Sequence, residues 1–170
     1  MGNWIRMAKI KLIAHRGLTN GPNAELENKP SNIINSLSIG FDCEIDLWKV
    51  NDNLYLGHDS GQYLIDDSFL DQPGLWIHCK NLEALEYCRS CYDLNFFWHQ
   101  NDDCVITSKR FIWTYPGKPL TAWSVQLMPE WADPNLDNVD LNCYAVCSDY
   151  VLRINYNIKT NDRNSRFDNR

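Results

Sequence analysis

The sequence contains no apolar run that approaches the roughly 20 residues needed to span a membrane. Its start, residues 1–11, is basic, but no long apolar core of a secretion signal follows it. We therefore predict a cytoplasmic protein without a transmembrane segment. The 170 residues, 44% of them hydrophobic, are enough for one globular domain with a sizeable core.

Several common functional motifs are also absent. The sequence has no Walker loop, no GxGxxG and no GxSxG pattern, so nucleotide-binding folds and serine hydrolases have no support. The 16 Lys and Arg residues are outnumbered by 22 Asp and Glu residues, which gives a net charge of −6. A general nucleic-acid binder needs a basic surface, so we predict no nucleic-acid partner. An anionic substrate stays compatible if a metal ion and a few basic side chains offset the carboxylates locally.

The seven cysteines form no zinc-binding pattern. Cys88 and Cys91 have CxxC spacing, but they fall in a helical pattern, and there is no second CxxC in the sequence. Free cysteines in apolar, strand-like segments behave as small hydrophobic residues. We therefore predict no structural zinc site.

The first half of the chain alternates strand-like and helical patterns. Apolar, strand-like segments occur at 11–14, 41–48 and 75–79, and helical spacing follows the first and the last of them at 32–39 and 82–92. The cluster Asn51-Asp52-Asn53 predicts a turn, after which a short apolar segment that ends at His58 extends the second strand like a hairpin. Such alternation favours a parallel sheet with helical crossovers. In the second half, strand-like segments follow one another with little room for helices.

A complete eight-stranded barrel typically takes about 250 residues, so this chain would need a reduced version. We predict an α/β fold, specifically a trimmed TIM-type (β/α) barrel with short or missing helices in its second half. Residues 1–156 are predicted to form this single domain. Residues 157–170 have few apolar side chains and are predicted to form a polar tail without stable structure.

Two carboxylates fall on the same face of one predicted strand. Because side chains alternate along a strand, Glu44 and Asp46 point the same way, opposite to Cys43 and Ile45. Two carboxylates this close repel each other unless a cation or a shared proton lies between them. With His58 at the end of the next apolar segment, they suit a hard divalent cation beside a proton-transfer group. The alternative is that both carboxylates lie on a solvated sheet face.

All four histidines follow a strand-like segment at or near its end: His15, His58, His78 and His99. In a parallel barrel these strand ends form one rim, where active sites are assembled. We therefore predict that at least two of the histidines bind metal or transfer protons. Arg16 and Lys80 could neutralise a phosphate at the same rim. Together these groups are typical of phosphoryl transfer with a metal as Lewis acid and an acid–base pair.

The order and approximate spacing of these residues resemble the glycerophosphodiester phosphodiesterase family. The motifs that carry the resemblance are His15-Arg16-Gly17, Glu27-Asn28, Glu44-x-Asp46 and Gly57-His58-Asp59. Weaker similarity continues at 75–80 and at 144–150. The resemblance implies a barrel like that of phosphatidylinositol-specific phospholipase C.

The resemblance also implies roles for individual residues. His15 and His58 would form the general acid–base pair, although it does not say which residue is the acid. Arg16 would contact the phosphate, and Lys80 would lie near the phosphate or the carboxylates. The pair Glu27-Asn28 has three alternatives: it orients the rim loop, contacts the metal or forms an exposed turn. His99 lies outside the matched motifs and has either a structural role or a place at the rim.

The implied metal site departs from the family at one position. Glu44 and Asp46 would bind a divalent cation, Mg²⁺ or Ca²⁺, but His78 stands where the family has a third carboxylate ligand. An imidazole removes one negative charge and tilts the preference toward Mn²⁺ or Zn²⁺. Alternatively, His78 binds no metal and water completes the coordination shell.

The chain has no room for the substrate-covering insertion that is typical of these hydrolases, which predicts an open rim. We predict a metal-dependent phosphodiesterase that acts on a small-molecule or lipid-derived, glycerophosphodiester-like substrate. The alternatives are a lyase that forms a cyclic phosphate and a non-catalytic binder of phosphorylated ligands. A nuclease is a further alternative, against which the acidic charge counts.

Overall fold

The computed structural model describes residues 10–91 and 93–167. Its strands are β1 (Lys11–Ala14), β2 (Asp42–Val50), β3 (Asn53–Leu56), β4 (Tyr63–Ile65), β5 (Leu75–Cys79), β6 (Phe96–Phe97), β7 (Cys104–Ile106), β8 (Ile112–Thr114), β9 (Ser124–Leu127) and β10 (Ala145–Ser148). Its α-helices are α1 (Pro30–Ser38), α2 (Leu82–Ser90) and α3 (Val151–Phe167). Short 3₁₀ turns lie at His15–Gly17, Asp67–Asp71 and Pro129–Trp131.

All ten strands belong to one mixed sheet that curls into a half-barrel. The hydrogen-bonded order is β4-β3-β2-β1-β10-β9-β8-β7, and β5 pairs with β2 while β6 pairs with β5. Within this sheet each strand is parallel to the next in the order β6-β5-β2-β1-β10-β9-β8. The β3–β4 hairpin beside β2 and the edge strand β7 are antiparallel. The parallel part of the sheet therefore brings several C-terminal strand ends to one edge.

The predicted trimmed TIM-type (β/α) barrel is wrong. The sheet is mixed, and the described part of the chain has three α-helices for ten strands, so strand and helix do not alternate. One cause is the turn after Val50, which folds β3 back along β2 as an antiparallel hairpin. The other is the composition after β6, where Pro, Gly, Asp and Asn clusters such as 115–119 and 133–138 form turns instead of helices.

Helix α3 runs from Val151 to Phe167, whereas the sequence predicts a tail without stable structure from residue 157. Val151 and Ile154 are buried in the core, and Ile158 packs against the same cluster. Their spacing places one apolar face against the sheet, which is sufficient for a helix whose other face is polar. Residues 157–167 are thus helical, and 168–170 lie outside the described residues. No helix in the described part is both long and apolar enough to cross a membrane.

Two apolar clusters cover the two faces of the sheet. The outer cluster packs the sheet against the helices through Ile33 of α1, Ala84 of α2 and Ile154 of α3. The inner cluster contains Ile13, Trp76, Phe97, Trp113, Val125, Ala145 and Cys147. Because side chains alternate along a strand, Trp76 of the inner cluster shares its face with the residue two positions later, His78. The concave face is therefore apolar along part of its length and carries polar groups toward the C-terminal strand ends.

Candidate metal centre and active site

A cavity of about 320 Å³ lies at the C-terminal ends of the parallel strands. Every site residue predicted from the sequence lines it: His15, Arg16, Glu44, Asp46, His58, His78 and Lys80. The fourth histidine, His99, lines it as well. A larger cavity of about 410 Å³ at the opposite strand ends is lined by none of these residues. The residues predicted to bind metal, bind phosphate and transfer protons thus line the same cavity.

The register of β2 and β5 brings two carboxylates and an imidazole together. Asp46 is the direct neighbour of His78 in the parallel ladder, and Glu44 lies two residues earlier on the same face. The Nδ1 atom of His78 is 3.1 Å from Oδ1 of Asp46 and 3.7 Å from Oε1 of Glu44. Both carboxylates are buried, at 2% and 1% exposure, so the solvated-face alternative is wrong.

Glu44, Asp46 and His78 could hold a metal ion, because one donor atom from each lies within 4.8 Å of the others. Ligands at about 2.1 Å from a common cation are typically about 3–4 Å apart. The two measured separations from His78 fall in this range. The set combines two oxygen donors with one nitrogen donor.

The ring of His78 is held as metal-binding imidazoles usually are. Its Nε2–H donates to the backbone carbonyl of His99 at 2.9 Å, and its Nδ1 faces the carboxylates, where the neutral ring can bind a cation and the protonated ring donates to Asp46. The ring also stacks on Phe97, with the centroids 5.1 Å apart and the planes at 6°. These contacts fix the ring orientation that a ligand role requires.

Asp46 is surrounded by cationic and amide groups. Its Oδ2 accepts from Asn28 Nδ2 at 2.9 Å and lies 3.2 Å from Arg16 Nε, and its Oδ1 lies 3.4 Å from Lys80 Nζ. Oδ1 nevertheless makes no well-directed hydrogen bond although it is fully buried. An orphaned buried acceptor that faces His78 fits a bound cation.

The two carboxylates differ in their affinity for protons. Burial, and then the charge of Asp46, raise the pKa of Glu44. Burial also acts to raise the pKa of Asp46, but a protonated His78 at 3.1 Å, with the charges of Lys80 and Arg16, outweighs it and lowers the pKa. A cation between the pair would favour the ionised form of both.

Arg16 connects the first strand to this cluster. It has left-handed backbone geometry (φ 51°), which costs a residue with a side chain on the order of 1–3 kcal/mol. Its backbone N–H donates to Oε2 of Glu44 at 3.1 Å, and its Nη1 donates to Oε2 of Glu27 at 2.9 Å. Glu27 thus orients Arg16, just as Asn28 orients Asp46. Glu27 is not among the carboxylates that lie close to His78 in the metal-ligand cluster.

His15 forms a dyad with a residue that the sequence did not single out. Its Nδ1–H donates to Oδ1 of Asp149 at 2.8 Å, so Nε2 is the nitrogen available for a substrate proton. Burial acts to lower the pKa of His15, but the hydrogen bond to Asp149 and the charge of Glu44 outweigh it, so the pKa is raised. Asp149 directly follows β10. The argument used for the histidines, that residues at the ends of parallel strands lie at one rim, would therefore also have predicted Asp149 as a site residue.

Glu130 holds the Asp149 turn in place. Its carboxylate accepts from the backbone N–H of Asp149 and from Oγ of Ser148, each at 2.9 Å. Burial raises the pKa of this carboxyl group. No motif or spacing in the sequence points to Glu130, because its partners are more than 15 residues away in the chain.

The other two histidines differ in their environments. His58 lies 2.7 Å from Asp59, measured from Nδ1 to Oδ1, and its side chain is 42% exposed, compared with 15% for His15. His99 donates from Nε2 to the carbonyl of Asp102 at 2.8 Å and stacks on Tyr115. His99 therefore supports the rim, and its own carbonyl supports His78.

Comparison with known protein families, with curated proteins and with solved structures found no match for this chain. The resemblance to the glycerophosphodiester phosphodiesterase family therefore stays an expectation that depends on short motifs.

Proposed function

We propose that this protein is a metal-dependent phosphodiesterase that cleaves a small phosphodiester. The observation that supports the proposal is that two predicted proton-transfer groups, two cationic side chains and a possible metal-ligand cluster line one cavity. Metal-assisted phosphoryl transfer requires these three kinds of group within reach of a single phosphate.

In this proposal the chain's own residues bind the phosphate and move two protons. Arg16 and Lys80 bind the nonbridging oxygens, because both cations already lie at the cavity beside Asp46. A water oxygen attacks phosphorus and loses its proton to one of His15 and His58, and the other histidine protonates the alkoxide that leaves. The products are a phosphomonoester and an alcohol. If a neighbouring hydroxyl of the substrate attacks instead, the product is a cyclic phosphate.

Glu44, Asp46 and His78 would hold the divalent cation. When bound, it would act as a Lewis acid on the phosphoryl oxygens. Two carboxylate oxygens suit Mg²⁺, Ca²⁺ and Mn²⁺, whereas the imidazole nitrogen suits Zn²⁺ and the later transition metals. We expect Mn²⁺, which accepts both kinds of donor, to support more activity than Ca²⁺.

One observation favours a non-catalytic binder of phosphorylated ligands as the second candidate. Asp46 lies within 3.4 Å of nitrogen atoms of Arg16, His78 and Lys80, so its charge is compensated by side chains alone. A rim of this kind could hold an anion without a metal and without turnover. The two candidates differ in whether any diester is cleaved.

The test is hydrolysis of bis(4-nitrophenyl) phosphate and of glycerophosphodiesters by metal-free protein to which Mn²⁺, Mg²⁺, Ca²⁺ or Zn²⁺ is added. We expect turnover that depends on metal and disappears when EDTA is present in excess. Separation of the products on an anion-exchange column distinguishes a monoester from a cyclic phosphate, and thus hydrolase from lyase. Metal or phosphate binding without cleavage of any diester would support the binder instead.

The Asp149→Asn substitution is expected to shift the pH dependence of kcat/KM. Because Asp149 raises the pKa of His15, its neutralisation should move the limb of the pH profile that reports His15 to lower pH. If the alkaline limb moves, His15 is the acid; if the acidic limb moves, it is the base. The profile is measured from pH 4.5 to 9.5 with wild-type protein in parallel. Unchanged limbs in a folded variant would remove the dyad from the proposed mechanism.

A further inference from the structure

The cavity has a second side that the proposed chemistry leaves unused. Besides the charged groups, its lining includes apolar and aromatic side chains from β8, from β9 and from the segment after β9: Trp113, Tyr115, Leu127, Met128 and Trp131. A phosphate and a cation interact with the charged side only. The apolar side is therefore available to another part of the ligand.

The aromatic side is built from fixed elements. Trp131 ends the 3₁₀ turn that follows Met128, whose backbone is left-handed (φ 44°) and whose N–H donates to the carbonyl of Cys147 at 2.8 Å. Glu130, inside the same turn, is anchored to Ser148 and to the backbone of Asp149. Trp131 thus belongs to the same turn as Glu130, which holds Asp149, the hydrogen-bond partner of His15.

Two exposed rings meet at the mouth of the cavity. Trp131 is 61% exposed and Tyr115 is 40% exposed. Their centroids are 6.4 Å apart and their planes cross at 75°, so the rings form an open corner. His99 stacks against Tyr115 with the centroids 5.9 Å apart and supports it. A third ring placed in this corner would stack on one of the two rings and meet the other at its edge.

Charge and size narrow the ligand group further. Among the described residues that line the cavity, the acidic ones are Glu44 and Asp46, and both belong to the metal cluster. Within that described lining, no other carboxylate is left to hold a cationic substituent beside Tyr115 and Trp131. A cavity of about 320 Å³ is near the lower limit for ligand pockets, which leaves room for one ring beside the phosphate.

We propose that the alcohol esterified to the phosphate carries a neutral aromatic ring, which binds in the corner between Tyr115 and Trp131. This inference rests on the proposed function for the position of the phosphate. It names the substrate class as phosphodiesters with a ring-bearing substituent of about the size of a benzyl group or a nucleobase.

The test is binding of phosphomonoesters, which needs no turnover, measured by isothermal titration calorimetry in the presence of Mn²⁺. Benzyl phosphate is expected to bind about tenfold or more tightly than methyl phosphate, because stacking on exposed aromatic residues contributes on that order. In Trp131→Ala and Tyr115→Ala this ratio should fall to about twofold or less, with the affinity for methyl phosphate unchanged. Trp123→Ala is the matched control, since Trp123 is 62% exposed and lies outside the cavity lining, and it should keep the wild-type ratio.

Three results would overturn the inference: a ratio near one in the wild type, an unchanged ratio in both cavity variants, or tighter binding of cyclohexylmethyl phosphate or phosphocholine than of benzyl phosphate. Absence of binding by every phosphomonoester would overturn it together with the proposed phosphate site. If benzyl phosphate binds as expected but no diester is cleaved, the catalytic proposal fails and the aromatic subsite stands.

Discussion

Replacing His15 by alanine is expected to reduce kcat/KM for phosphodiester cleavage by about 10²- to 10⁴-fold. The substitution removes an imidazole that lines the cavity and leaves Asp149 without its hydrogen-bond partner. If His15 protonates the leaving alcohol, the loss should be smaller for a 4-nitrophenyl ester than for an alkyl ester, because nitrophenolate leaves without help. Comparing the two esters therefore also assigns the role of His15.

The control for this prediction is His15→Gln, which keeps a polar side chain next to Asp149 but cannot shuttle a proton at neutral pH. It should be as inactive as the alanine variant. Both variants should bind Mn²⁺ with wild-type affinity, because His15 is outside the Glu44–Asp46–His78 cluster. Activity within tenfold of wild type in either variant would exclude His15 from the chemistry. If activity is lost and the thermal midpoint falls below the assay temperature, the loss is due to unfolding and not to the missing proton transfer.

The location of the site was predictable because it depends on strand ends, which are local features of a sequence. The C-terminal ends of the parallel strands β1, β5 and β6 are marked by His15, His78 and His99, and all three line the same cavity. His58 lines it for a different reason, because the antiparallel strand β3 returns alongside β2 toward Asp46. The alternation of Glu44 and Asp46 with apolar neighbours also gave their shared face correctly. The ends and the two faces of a strand are set by its own residues, so predicting them needs no knowledge of its partners.

The mixed, half-barrel sheet was not predictable in the same way, because it depends on what lies between the strands and on which strands pair. Nothing in the residues of β7 marks it as an antiparallel partner of β8. The turn at 51–53 did predict the hairpin of β2 and β3, but nothing marks β4 as the strand that pairs with β3. Contacts between distant segments were missed for the same reason. The hydrogen bonds that join Asp149 to His15 and to Glu130 connect residues that become neighbours only in the folded sheet.

Replacing Asp46 by asparagine is expected to weaken Mn²⁺ binding by more than about 100-fold and to remove metal-dependent turnover. Loss of a group that merely supports a ligand already costs about 10- to 100-fold in metal affinity, and Asp46 is itself a candidate ligand. The amide keeps the size of the side chain but leaves Arg16 and Lys80 without the charge that they face. Affinity is measured by calorimetric titration of metal-free protein, and turnover is measured on the same samples.

The matched control is Asp93→Asn, the same chemical change at a side chain that is 96% exposed and pairs with Lys109 away from the cavity. It should leave both Mn²⁺ affinity and turnover unchanged. If Asp46→Asn bound Mn²⁺ as tightly as the control, the carboxylate would serve only to compensate the charge of the neighbouring cations. The proposed metal site, and with it the metal-dependent mechanism, would then be wrong. A parallel loss of affinity in His78→Ala would show that the imidazole completes the ligand set, whereas unchanged affinity there would leave the two carboxylates and water as the ligands.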